Sequence, residues 1–151
     1  MVPKMNDVDP TRPKAAGCSR APAVRERELT AGEWFDRGFN TRDPDEQIRC
    51  YGEAIRLKPD YADAFFNRAD AREAKGDLEG AIQDYDETIR LKPNDVDTFY
   101  KRADARQAKG DLKGAMADFQ SYLELGGGER DRDRKEVEDM IRDLKGKLAG
   151  S

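Results

Sequence analysis

Any chemistry in this chain would have to come from carboxylates, arginines and two cysteines, because the sequence contains no histidine. Acid–base work needs a positioned partner for the proton. Here 32 Asp and Glu residues come without a histidine, a serine elbow or a glycine-rich phosphate loop beside them. Gly126-Gly127-Gly128 lacks the lysine and following hydroxyl of a phosphate loop. Cys50 has no histidine partner and precedes Tyr51 on the apolar face of an expected helix, so packing is expected of it rather than nucleophilic attack. Cys18 and Cys50 fall in unrelated contexts, with no spacing for a metal site or a disulfide framework. The expectation is a non-enzyme with no cofactor and no metal.

The arginines are better organised. Arg68/Arg72 and Arg102/Arg106 are each four residues apart, which sets each pair on one helical face. They could meet a ligand. The expected role is structural: each pair buries its aliphatic stems and closes on a carboxylate of the next helix, Asp84 and Asp118 respectively.

The elements that carry them repeat. RADAREAKGDL at 68–78 recurs as RADARQAKGDL at 102–112, 34 residues later, and YGEAIRLKPD at 51–60 recurs as YDETIRLKPN at 85–94. A period between about 20 and 50 residues marks a stacked repeat architecture. Within one period a helix is expected over 61–74, capped at its start by Asp60, with Gly76 as the left-handed residue after its end. Asp77 then caps a second helix, 78–91, which Pro93 stops. The cycle restarts at Asn94, giving helices from about 95 and over 112–125 around the Gly110-Asp111 turn. Upstream, Trp34, Phe35 and Gly38 align with Phe65, Phe66 and Ala69 at an offset of 31, so the first helix is expected to be short. Asp43-Pro44 would open its partner. A last helix, 131–148, has one apolar stripe of Val137, Met140, Ile141, Leu144 and Leu148 and is otherwise charged. It suits a solubilising cap on the stack, with a dimerisation helix as the competing reading.

Residues 1–28 contain four prolines and no apolar periodicity, and are expected to be disordered. They carry six basic and four acidic residues, net +2, so residues 29–151 hold −6 of a whole-chain charge of −4. An acidic body argues against nucleic acid, whose affinity for proteins rests on Lys and Arg neutralising phosphates. No apolar run approaches the roughly 18 residues that span a bilayer. Ala15-Ala16-Gly17-Cys18 lacks the apolar stretch that precedes a lipoprotein cleavage site. A cytoplasmic protein without membrane or nucleic-acid partners is expected.

The repeat resembles the tetratricopeptide repeat (TPR), with its period of about 34 and its large–small–large packing signature. Phe65, Ala69, Gly76-Asp77, Ala81, Tyr85 and Pro93 carry the match in one unit. Phe99, Ala103, Gly110-Asp111, Ala115 and Phe119 carry it in the next, where Gly127 replaces the proline. The resemblance covers about residues 31–127 and implies an all-α fold: three tandem TPR helix-turn-helix hairpins (about 29–60, 61–94 and 95–128) in a short right-handed solenoid, with residues 129–149 as a C-terminal capping helix.

It also implies a concave groove lined by the first helix of each hairpin. Its candidate residues are Phe35, Asp36 and Phe39 in the first unit, Asp63, Phe66, Asn67, Asp70 and Glu73 in the second, and Asp97, Tyr100, Lys101, Asp104 and Gln107 in the third. Some chaperone-binding TPR domains hold a peptide's terminal carboxylate in a basic clamp. Only Asn67 and Lys101 fall on such positions here, and Phe35 and Phe39 replace the basic and Asn residues of the first unit. The expected partner is a protein or peptide with apolar and basic residues, bound by a small adaptor or scaffold. The alternative is a self-associating module, a homo-oligomer through the last helix or the open end of the stack.

Overall fold

The computed structural model describes residues 28–129 and 131–150, with only the backbone of Asp131 and Arg132. The tail expected to be disordered lies outside these residues apart from Glu28. Among the described residues seven helices follow in order: α1 (Ala31–Asn40), α2 (Pro44–Leu57), α3 (Ala62–Ala74), α4 (Leu78–Leu91), α5 (Val96–Lys109), α6 (Leu112–Glu124) and α7 (Asp131–Ala149). There is no strand among the described residues. Every substantial helix–helix contact joins neighbours in sequence, which is the signature of a solenoid. The hairpins are α1/α2, α3/α4 and α5/α6, and α7 covers the end of the stack.

Local chemistry places each boundary. Thr30 and Glu33 form a capping box at α1: the Thr30 hydroxyl accepts from the Glu33 amide, and Glu33 accepts from the Thr30 amide at 2.8 Å. Asp43 caps α2 with Pro44 behind it, as expected. Asp77 and Asp111 accept from the amides of Gly80 and Gly114, at 2.9 and 3.0 Å. A Cβ at either glycine would sit 2.2 Å from the capping carboxylate, so these glycines let the caps close.

One expected cap is corrected. Asp60 does not cap α3; the N-cap is Tyr61, which makes no side-chain bond there. The 58–61 turn, closed by Tyr61 N donating to Lys58 O, leaves Asp60 one residue short of the helix start. At α5 the N-cap is Asp95, whose carboxylate accepts from the Thr98 hydroxyl at 3.0 Å rather than from a backbone amide.

The core lies in three small layers. One holds Trp34, Cys50, Ala54 and Ala64, and the next Ala69, Ala81, Tyr85 and Ala105. The third holds Ala103, Ala115, Phe119, Val137, Ile141 and Leu144. Fully buried alanines at Ala69, Ala81, Ala103 and Ala115 let the helices of a hairpin approach.

Polar clamps tie the two complete hairpins together. Arg68 donates through Nε and Nη2 to both oxygens of Asp84, each at 2.8 Å, and Arg72 adds a third bond at 2.9 Å. Arg102 and Arg106 hold Asp118 in the same way at 2.7–2.9 Å. Each aspartate is 3% exposed, so its charge is compensated inside the protein. This is the pairing expected of the four arginines. The first hairpin departs from it: Cys50 stands where Asp84 and Asp118 would be, fully buried, and Arg37 and Arg49 reach Glu46 at 3.4 and 2.7 Å instead. Burial, then the nearby Glu46 charge, push the Cys50 thiol up from its ordinary range.

Candidate functional site

On the face formed by α1, α3 and α5, three adjoining depressions run across the stack. The first, about 240 Å³, is lined by Phe39, Gln47, Tyr51, Asn67, Asp70, Ala71 and Ala74. The second, about 270 Å³, is lined by Phe35, Asp63, Phe66, Asn67, Asp95 and Asp97. The third, about 290 Å³, is lined by Phe66, Asp97, Tyr100, Lys101 and Tyr122. Shared walls at Asn67, Phe66 and Asp97 make them one continuous trough. Of the candidate residues, Phe35, Phe39, Asp63, Phe66, Asn67, Asp70, Asp97, Tyr100 and Lys101 are brought together in it.

Glu73 and Asp104 do not line these depressions. Glu73 accepts from the buried Tyr85 hydroxyl at 2.9 Å, beside Asp70 at 2.6 Å. Burial and the facing Glu73 charge raise the Asp104 pKa, against a lowering by Lys101. Asp36 and Gln107 do not line them either.

The aromatic side chains are braced from behind. Phe35 stacks on Tyr61, centroids 5.0 Å apart, and on Phe39 at 6.5 Å, and leans on Tyr51 at 5.5 Å. Phe66 meets Tyr85 edge to face at 5.8 Å, and Tyr100 meets both Phe119 and Tyr122 at 5.5 and 5.3 Å. Such packing fixes the ring orientations and is worth about 0.5–1.5 kcal/mol per pair. Phe39 is nevertheless 68% exposed.

The surround is acidic. Asp63, Asp70, Asp95 and Asp97 line the trough, against a single lining lysine, Lys101, 3.4 Å from Asp70. Burial and neighbouring carboxylates push the phenols of Tyr61 and Tyr100 up, so both stay neutral donors. Among the described residues no group of three or more His, Cys, Asp or Glu is arranged to hold a metal ion, and none of the described helices is long and apolar enough to cross a membrane.

Two stretches, residues 45–76 and 69–110, match the family described as "TPR repeat". Residues 45–110 of this chain are TPR repeats. Mouse tetratricopeptide repeat protein 36 is 49% identical over 37 residues, 24% of this chain and only 20% of that protein. Among solved structures, the Yersinia enterocolitica secretion chaperone SycD, in complex with a peptide of the translocator YopD, superposes with a TM-score of 0.70. It is 18% identical and the match covers 78% of this chain and 93% of SycD. The TPR2B domain of yeast Sti1, in a complex with pHsp70, gives 0.66 at 22% identity over 78% of this chain and 97% of that one. The first TPR of Spaghetti, bound to an HSP90 peptide, gives 0.61 at 24% identity over 87% and 94%. At these identities the likeness is one of TPR fold.

The TPR frame also shows what the sequence reading missed. Tyr122 belongs to α6, a second helix, yet forms a wall of the third depression. Its signal was available: successive repeats place Ala54, Thr88 and Tyr122 at 34-residue steps, so a small buried position becomes a large one in the last unit. The same ring accounts for Gly127 replacing the TPR proline, since a Cβ at 127 would fall 2.5 Å from the Tyr122 ring. Gln47 and Asp95 were also missed; Gln47 stands where the other units have Ala81 and Ala115.

The raised Asp104 pKa has a measurable sign. A carboxylate whose folded pKa lies above its unfolded value costs stability once the pH exceeds the unfolded value. Asp104→Asn should therefore raise the thermal midpoint at pH 7. The gain should vanish as the pH is lowered below about 4, the ordinary Asp range. Thermal melts of both proteins across pH 3.5–7.5 check this; a constant difference at all pH values would refute it.

Proposed function

We propose that this TPR stack is a protein–protein interaction module, a small non-catalytic adaptor that holds an extended or helical peptide along the α1/α3/α5 trough. The peptide would carry apolar and basic residues. The observation that carries this is the braced aromatic row, Phe39, Phe35, Phe66 and Tyr100, set within aspartates. Aromatic anchors in pre-formed pockets concentrate binding energy, and opposite charges steer and select the ligand. TPR neighbours solved with peptides from YopD and HSP90 are consistent with peptide binding in this fold. The departure from a basic clamp at Phe35 and Phe39 makes an internal basic segment a better match than a terminal carboxylate. A cytoplasmic setting is part of the same proposal.

Self-association is less well supported, because Val137, Ile141 and Leu144 of α7 are already buried in the cluster with Phe119. Around Met140, the outward side of α7 presents Lys135, Glu136, Asp139 and Asp143.

A peptide array followed by calorimetry on the best binders tests the adaptor reading. Phe66→Ala and Tyr100→Ala should each weaken binding by about 30-fold or more, the loss expected of a hot-spot residue worth about 2 kcal/mol. Binding indifferent to both substitutions would remove the groove from the proposal.

A further inference from the structure

The trough asks for a ligand that is basic, partly apolar and able to lie extended, and the chain carries such a segment immediately before α1. We propose that residues 1–27 are the trough's own occupant, an intramolecular pseudo-ligand that external peptides must displace. The proposal rests on the reading of this face as a peptide groove.

Charge is the first argument. Residues 1–27 hold six basic residues, Lys4, Arg12, Lys14, Arg20, Arg25 and Arg27, against Asp7, Asp9 and Glu26. The trough offers Asp95 and Asp97, together with Asp63, which pairs with Lys92 at 2.6 Å, and Asp70, which pairs with Lys101 at 3.4 Å.

Side-chain chemistry is the second argument. Pro3, Pro10, Pro13 and Pro22 punctuate the segment, beside Val2, Met5 and Val24. The Phe39–Phe35–Tyr61 stack is an aromatic platform with Phe39 exposed and Phe35 and Tyr61 half-buried. Proline-rich segments dock on aromatic-lined grooves because their extended backbone is already restricted.

Connection and reach are the third. The chain enters α1 at Thr30, and Leu29 packs in the layer that includes Trp34, Phe35 and Tyr61. Phe35, Asp63, Phe66 and Asp97 all belong to the first two turns of their helices, so the middle depression opens at the end where the segment joins the stack. Fully extended, 27 residues span about 90 Å at roughly 3.3 Å each. Three helices packed about 8–10 Å apart make a trough of only about 30 Å.

Tethering makes even weak contacts count. A short flexible link gives an effective concentration on the order of 1 mM. Against a segment affinity of about 0.1 mM, the groove would be roughly 90% occupied and an external peptide weakened about tenfold.

The test uses the intact chain. Cys50 is fully buried, so a nitroxide reagent selects Cys18. In ¹⁵N-labelled protein, the label should broaden amides of Phe66, Asn67 and Tyr100 while sparing the exposed α4 positions Gln83 and Asp86. Replacing the six basic residues with Gln, or adding 0.5 M NaCl, should abolish the broadening. The Gln variant should also bind the array-selected peptide about tenfold more tightly. Equal broadening on both faces, or broadening indifferent to charge and salt, would overturn the proposal. So would broadening that appears only when spin-labelled and ¹⁵N-labelled copies are mixed, because the segment would then seat in another molecule. Any of these results alongside peptide binding that still depends on Phe66 and Tyr100 removes the pseudo-ligand and leaves the groove.

Discussion

Replacing Asp84 with Ala should lower the thermal midpoint by about 10–20 °C, the consequence of leaving two largely buried guanidiniums without a counter-charge at about 3–5 kcal/mol. The size follows from the geometry. The Asp84 side chain is 4% exposed and takes bonds from Arg68 and Arg72, themselves 18% and 24% exposed. Water cannot easily replace the lost oxygens, because Arg68 and Arg72 lie between α3 and α4 rather than on the surface. A second substitution separates the charge from the packing. Converting all three groups together, Arg68→Met, Arg72→Met and Asp84→Leu, should return the midpoint to within a few degrees of the parent, since a well-packed apolar trio is often neutral against a buried ion triad. Thermal melts followed by circular dichroism measure both. A fall of less than about 3 °C for Asp84→Ala would show that the triad is solvated in solution and not the tie between α3 and α4.

The second large effect is expected at the other end of the molecule. Leu144→Ala should cost about 2–5 kcal/mol, and that loss should appear first in α7. Leu144 is fully buried within a cluster shared with Phe119 and Ile141. Among the described residues the only substantial helix contact of α7 is with α6, so its opening frees a face without dismantling the hairpins. Opening of a poorly anchored element lies below global unfolding in free energy. Hydrogen exchange should therefore show α7 amides losing protection while those of α3 and α4 keep theirs. Dye binding should rise as Phe119 and Met116 are uncovered. Uniform loss of protection along the chain would mean that α7 is part of the cooperative unit rather than a lid upon it.

Features that depend on a few adjacent residues were legible in the sequence. Gly76-Asp77 and Gly110-Asp111 turn their hairpins where the spacing placed them, with both glycines at positive φ, 84° and 94°. The four-residue spacing within each arginine pair set it on one helical face, where Asp84 and Asp118 of the next helix were the expected partners. Thr30-Ala31-Gly32-Glu33 also spelled out a capping box that went unread. What escaped depends on how neighbouring units meet. Arg102 extends beyond Asp118 to Asp86 of α4 at 2.6 Å, whereas its counterpart Arg68 faces Gly52, whose added Cβ would lie 3.7 Å from the guanidinium. Lys75 bonds Asp45 and Lys109 bonds Glu79 across the same type of boundary. Such contacts are set by the reach of long side chains over a neighbouring helix, which periodicity within one helix does not encode. The trough illustrates the same division: its first-helix residues followed from the repeat, while Tyr122 entered from a second helix because an alanine position had grown.

The duplicated clamps also bear on how the chain finds its own partners while folding. Arg102 and Arg106 present the same donors to Asp84 as to Asp118, and α5 follows α4 through only Lys92–Asp95, so chemistry alone does not say which hairpin should close. Near-identical neighbours are the setting in which repeat chains misassemble or exchange elements. Discrimination must come from the residues that break the repetition: Asp86 claiming Arg102, Gln47 where the others have alanine, Cys50 in place of an aspartate, Tyr122 folding over Gly127. The irregularities that spoil the consensus act as addresses, and they keep three similar hairpins in one order.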